Sequence, residues 1–182
     1  IDQAGISNDQ HILEIGPDEI INNIWKAYLR NDKSELAYAV SNSDINYAFP
    51  FRRESIKTLN WAKNLYNNWK LDYFLALNLW GKGRYEDSQN LLSNIKHKSD
   101  NSIFYLNRGL MLEKLDVDPI NDFNKSYKLN SKNWRIARAL SNYHFNSKNY
   151  KLSHDILKKA FNNDKSNYII GMDYVKTLVK LE

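Results

Sequence analysis

A chain of 182 residues, 42% hydrophobic and 13% aromatic, carries enough apolar surface for a core, which excludes a disordered tail. It holds no cysteine, so disulfides, thiolate catalysis and thiolate metal sites are excluded together. The net charge of +5 invites a nucleic-acid reading, but it is spread along a chain rich in Lys, Asn, Ile and Tyr, the joint bias of an AT-rich genome, and needs no anionic partner to explain it.

Residues 1–16 show no sustained period and read as an irregular lead-in. Gly16, Pro17, Asp18 and Glu19 then signal a helix start, with proline in the first turn and acids on the positive helix end. This helix runs to about Arg30 and buries Ile20, Ile21, Ile24, Trp25, Tyr28 and Leu29. Asn31 and Asp32 make a turn, and a shorter helix over 34–40 buries Leu36, Ala37 and Val40. The two form an αα-hairpin with no clean repeat motif. Residues 41–50 are a loop. Phe49, Pro50 and Phe51 open a long helix from Arg52 to about Tyr66, with proline setting φ and the phenylalanines wedged against the preceding hairpin. Its inward residues are Ile56, Leu59, Ala62, Leu65 and Tyr66.

The stretch over 69–95, WKLDYFLALNLWGKGRYEDSQNLLSNI, reads as helix, tight turn at Gly81, Lys82 and Gly83, and helix. Its pattern returns at a constant offset of 65 residues. Trp69 answers to Trp134, Leu75 to Leu140, Tyr85 to Tyr150, Ser88 to Ser153, Leu92 to Leu157 and Ile95 to Ala160. That offset is close to twice a period of about 34 residues. Between the two copies, 102–114 and 119–129 form a further hairpin, with Pro119 at a helix start and Ser126 where the others have Ile95 and Ala160. Counted that way the middle unit is three residues short, which predicts an atypical turn over 115–118. A last helix over 167–181 carries Ile169, Ile170, Met172, Tyr174, Val175, Leu178 and Leu181, and is either a terminal cap or a point of truncation. The organisation is an N-terminal helical extension over 1–68 and degenerate repeats over 69–182, divided at about 69–100, 101–132, 133–165 and 166–182.

These units resemble tetratricopeptide repeats. The first keeps the small Ala76 at its eighth position and Gly83, Arg84 and Tyr85 at its turn, and the third keeps Leu140, Tyr150 and Ala160. Departures are Ser88, Ser141, Ser153 and Ile95 at small-residue sites, and Asp100, Ser131 and Lys165 where the family carries proline. The resemblance implies an all-α, right-handed α-solenoid of antiparallel helix pairs. A second resemblance rests on HILEIGPDEI at 11–20, FPFRRES at 49–55, NWKLDYFLALNLWGKGR at 68–84 and NYIIGMDYVKTL at 167–178. These look like the tail of large bacterial proteins in which a β-rich, sugar-mutarotase-like domain precedes tetratricopeptide-like helices. On that reading the chain, which does not begin with Met, is the C-terminal part of a longer polypeptide with its own upstream domain as a partner.

The chemistry-bearing residues point away from catalysis. His11, His97, His144 and His154 include no pair at the i, i+3 or i+4 spacing of a helical metal site, and even if His144 and His154 faced each other across the third hairpin they would need further ligands. Asp18 with Glu19, and Glu86 with Asp87, fall in first turns of helices, where the macrodipole accounts for them. No phosphate-cradling glycine loop is present, and neither an enzyme activity nor a cofactor is expected. No apolar run reaches the 18 residues of a membrane span. The compartment is left open, with the cytoplasm slightly favoured over the periplasm.

In tetratricopeptide arrays the first helices of each pair line a concave groove. Carried over residue by residue, that resemblance implies Lys70, Tyr73, Leu77 and Trp80 from the first unit, Arg135, Arg138, Asn142 and Phe145 from the third, and Met172 and Lys176 from the last helix. Arg138 and Asn142 have the spacing of half a carboxylate clamp, and Tyr73 and Trp80 would add aromatic surface, a combination enriched at binding hot spots. Asp173 stands where the clamp uses a neutral or basic residue. The expected function is a non-catalytic protein- or peptide-binding or scaffold module, taking an acidic or C-terminal segment. The alternatives are an accessory part of a carbohydrate-active enzyme and, third, nucleic-acid binding.

Overall fold

The computed structural model describes residues 19–46, 50, 52–95 and 100–182, with only the backbone of Glu19 and Ile20. The lead-in over 1–16, the start signal at Gly16 to Asp18, and the wedge of Phe49 and Phe51 lie outside the described residues. Among those described, ten helices follow one another without a strand. The chain forms two compact bodies, Ile1–Lys98 and Ser99–Glu182.

The first body holds α1 (Glu19–Arg30), α2 (Lys33–Ser41), α3 (Ser55–Leu65), α4 (Trp69–Gly81) and α5 (Tyr85–Asn94). The Asp32 carboxylate accepts the Ser34 and Glu35 amides and so fixes the start of α2. α1 packs on α2 and α3, and α4 packs on α3 and α5. Trp25, Tyr28 and Trp61 meet edge to face, with ring centroids 5.7 and 5.3 Å apart, and join α1 to α3. α3 begins three residues later than its apolar pattern predicts. The amides of Ser55, Ile56 and Lys57 bond to the carbonyls of Arg52, Arg53 and Glu54, an i to i+3 pattern wound more tightly than an α-helix.

The second body holds α6 (Ser102–Lys114), α7 (Ile120–Leu129), α8 (Trp134–Asn146), α9 (Tyr150–Asn163) and α10 (Tyr168–Val179). Each packs on the next, and α8 also meets α6 and α10. First helices of successive pairs therefore touch, as a stacked array requires. The core gathers Phe123, Ile136, Ala137, Leu140, Leu157 and Ile170.

The repeat appears as local geometry. α4, α6 and α8 each have 13 residues. They and α10 are capped by asparagines, Asn68, Asn101, Asn133 and Asn167, whose side chains accept amides of the first turn. Trp69 and Trp134 open α4 and α8, and Tyr85 and Tyr150 open α5 and α9. Leu75 and Leu140, Ser88 and Ser153, Leu92 and Leu157, and Ile95 and Ala160 are all buried. The hairpin turns match as well: Gly83 and Lys148 both sit at positive φ, +76° and +60°. Asn31 and Asp116 do the same after α1 and α6, so even the first hairpin makes this turn.

The middle hairpin departs from the others in three linked ways. Its turn runs over 115–119, five residues against three in its counterparts, so it is atypical by being longer. Arg108 stands in the place of Leu75 and Leu140, the seventh residue of its helix, and Gly109 in that of Ala76 and Ser141. Phe123 from α7 fills the space over Gly109, where a Cβ would lie 2.6 Å from its ring. The Ser126 hydroxyl, fully buried, donates to the Ser102 carbonyl at 2.7 Å.

α10 buries Ile170, Asp173 and Thr177. Its opposite face exposes Tyr168, Met172, Val175 and Val179, so the helix lacks the polar outer surface of a solenoid cap.

Two stability outcomes follow from this packing. Leu140→Ala is expected to cost about 2–5 kcal/mol in denaturant unfolding, because Leu140 is buried in the core of the second body and its truncation leaves a cavity there. Gly109→Ala is expected to cost about 1–3 kcal/mol by overpacking against Phe123, despite alanine's better helix propensity. Gly171→Ala makes the control: its Cβ would meet the Phe161 ring at an ordinary 3.4 Å, so the propensity gain of about 1 kcal/mol should survive.

Candidate protein-binding surface

In the second body, the Asn133 cap fixes the start of α8 and so its phase, placing residues 138, 142 and 145 along one face. α10 lies beside it and contributes Asp173 and Lys176. Arg138 Nε donates to Asp173 Oδ2 at 2.7 Å, and Lys176 Nζ donates to Asp173 Oδ1 at 2.9 Å. Next to this triad a cleft of about 120 Å³ opens between α8, α9 and α10, lined by Ser141, Asn142, Phe145, Asp173, Lys176 and Thr177. Asn142 is exposed at its rim.

Burial pushes the Asp173 carboxyl up, but the hydrogen bonds from Arg138 and Lys176, reinforced by both charges, outweigh it and hold the group below the usual carboxylate value. Arg138 and Lys176 keep 42% and 62% of their side chains open to solvent, whereas Asp173 keeps 10%. Arg138, one member of the expected half-clamp, therefore already holds a carboxylate of the chain itself, together with Lys176 rather than with Asn142.

The other expected site residues divide. Arg135 is exposed, its guanidinium 5.5 Å over the Trp134 ring, and Met172 projects into solvent. Lys70, Tyr73 and Trp80 belong to the first body. Tyr73 does not line a surface: it is fully buried, as is Leu77, because α4 is apolar around most of its circumference and Tyr73 through Leu79 are all buried. Lys70 turns back to α2, donating to the carbonyls of Val40, Ser41 and Ser43 at 3.3, 3.0 and 2.7 Å. A lysine there satisfies open carbonyls at a helix C-terminus and complements its dipole, so Lys70 acts structurally rather than as a groove cation. Burial lowers its pKa, opposed by the charge of Asp44. Trp80 is half-buried. His154 turns to Thr177 and Tyr174 of α10, and His144 lies edge-on to Tyr143 with burial lowering its pKa.

Sequence reading missed a second carboxylate pair. Arg108 donates to both oxygens of Asp122, at 2.7 and 2.6 Å, with its guanidinium 5.2 Å over Phe104. The signal was present: an arginine at a repeat position otherwise held by leucine must find a counter-ion on the partner helix. Among the described residues no three metal-ligating side chains stand together, and no helix is long and apolar enough to cross a membrane.

Consecutive helix pairs with matched caps and turns define a tetratricopeptide-like all-α fold. No protein-family model matches the chain, and no curated protein does. Among solved structures it is similar to "MamA RS-1 ArsTM double mutant", with a TM-score of 0.61 at 16% identity over 91% of this chain and 97% of that one. It is similar also to "MamA 41-end from Desulfovibrio magneticus RS-1", with a TM-score of 0.59 at 17% identity over 92% and 98%. At such identities the likeness is one of fold.

The Asp173 triad has a pH signature. A carboxyl whose folded pKa lies below its unfolded value stabilises the fold above the unfolded pKa, near about 3.9, and loses that contribution as pH falls through the folded pKa. Asp173→Asn is expected to cost about 1.5–3 kcal/mol at pH 7, the range for hydrogen bonds to charged groups. Urea titrations of both proteins should converge on acidification below pH of about 4.

Proposed function

We propose that the chain is a non-catalytic protein-binding or scaffold module that takes a carboxylate-bearing peptide segment on the α8–α10 face of its second body. One observation carries this reading: Arg138 and Lys176 converge on a carboxylate beside a small cleft rimmed by Asn142. An arginine, an ammonium and a carboxamide all donate, and together they complement an acidic side chain or a chain terminus. The cleft, about 120 Å³, falls below the roughly 300–1,000 Å³ of a small-molecule site and suits the tip of one side chain. Asp173 then serves as a built-in competitor that an incoming carboxylate displaces. The basic residues support protein over nucleic acid, because Arg30, Lys63, Arg84, Arg108 and Arg138 are each paired with a carboxylate of the chain itself.

Fluorescence anisotropy with labelled hexapeptides ending in a free carboxylate after Asp or Glu, against the same peptides amidated, tests this. The free-acid peptides should bind more tightly, and Arg138→Ala with Asn142→Ala should weaken them by about tenfold or more and flatten their salt dependence. Asp173→Asn should tighten them, since it removes the internal competitor. Equal binding of acid and amide forms, unmoved by the double change, would overturn the assignment.

A further inference from the structure

The first body carries a second groove, formed by α3, α4 and α5 and about 340 Å³ in volume. Each helix contributes one ridge. From α4, Leu75 and Leu79 form the floor, one turn apart and almost wholly buried, and the half-buried Leu91 of α5 extends it. The walls are carboxamides: Asn60 from α3, and Asn90 and Asn94 from α5, all exposed. No hydrogen bond to another described residue engages any of these three side chains. The charges at the margins are already matched, Lys63 with Asp72 and Arg84 with Asp87.

We propose that this groove binds an extended, uncharged stretch of polypeptide through its main chain. This rests on the reading of the chain as a protein-binding module but concerns a different body and a different chemistry. A carboxamide offers one acceptor and two donors, the complement of a peptide group's N–H and C=O. Asn90 and Asn94 lie one turn apart, about 6 Å along the helix. An extended chain repeats its outward-facing peptide groups every two residues, about 6.6–6.8 Å. The two spacings agree closely enough for both asparagines to clasp one strand, with Asn60 closing from α3. Alternate side chains of that strand would point down onto Leu75, Leu79 and Leu91. The groove's volume reaches the range of a ligand site. None of its lining residues is aromatic, so it offers no ring on which a sugar or base could stack. Matched charges leave little to attract a strongly charged partner.

A phage-displayed library of random linear dodecapeptides, selected on the whole chain and counter-selected on an Asn60→Ala, Asn90→Ala, Asn94→Ala variant, supplies the probe. All three residues are exposed, so circular dichroism should show that variant folded. The selected peptides should carry apolar residues at alternate positions. They should lose about tenfold or more in affinity for the variant, and lose binding on N-methylation of alternate peptide nitrogens. They should also shift the carboxamide NMR signals of Asn60, Asn90 and Asn94. Their binding should be indifferent to Arg138→Ala with Asn142→Ala, which separates this site from the α8–α10 face. Peptides that bind wild type and variant within about twofold, or that become helical when bound, would overturn the proposal. So would a library with no sequence enriched over the counter-selection. Acid-ended hexapeptides that still bind the second body in either case would leave the first reading standing.

Discussion

The three repeat hairpins depend on the close approach of two helices at the eighth residue of the first one. Ala76, Gly109 and Ser141 hold that position, and each is buried against the returning helix. At the first, the Ser88 hydroxyl donates to the Ala76 carbonyl at 2.6 Å. At the third, the Ser141 and Ser153 hydroxyls meet at 2.8 Å. Serine replaces alanine at these contacts without leaving a polar group stranded, because a neighbouring backbone or hydroxyl oxygen lies within reach. A large side chain at any of the three would separate the helices and uncover the leucine layers on either side. Turns with one residue at positive φ and asparagine caps then set where each helix starts and stops, so the contact recurs in register.

The middle hairpin shows how that constraint survives change. Removing the side chain at Gly109 opens space, and Phe123 takes it. Placing Arg108 where its counterparts have leucine would strand a charge, and Asp122 removes that cost by accepting both of its hydrogen bonds. An ion pair this buried does not by itself argue for greater stability, since desolvating both partners offsets much of their attraction. Arg108 and Asp122 meet in the phase that α6 and α7 adopt across the longer turn over 115–119.

Much of this was legible in the sequence. The offset of 65 residues picked out equivalent positions on two hairpins, because buried residues obey a period that single substitutions do not erase. Apart from the late start of α3, helix boundaries followed from Gly83, Pro119 and the apolar spacing. The site was harder, and for a physical reason. A carried-over groove position assumes that a helix shows the same face in every repeat, yet α4 is covered on nearly all sides and Tyr73 is lost to the core. The apolar run from Tyr73 to Leu79, interrupted only by Asn78, was the warning. Lys70 was unreadable for another reason. Its partners are carbonyls about thirty residues upstream, and a backbone acceptor leaves no mark in a sequence. The asparagine caps were visible as residue types but lie one residue outside the apolar pattern that marks each helix.

The two proposed surfaces would keep a binding group available in opposite ways. On the α8–α10 face the donors are charged, and leaving them unpaired beside a partly buried cleft would cost more than satisfying them internally, so Asp173 occupies them, and on the proposed function an incoming carboxylate would have to displace it. On that proposal, affinity there would be a difference between two carboxylates, reduced by whatever the internal one contributes. The α3–α5 groove needs no such guard. Neutral carboxamides at an exposed rim stay hydrated at little cost, so Asn60, Asn90 and Asn94 stand ready without a competitor. Each such bond is individually weak. A partner held this way gains strength only by engaging several at once, which an extended main chain does by its own period.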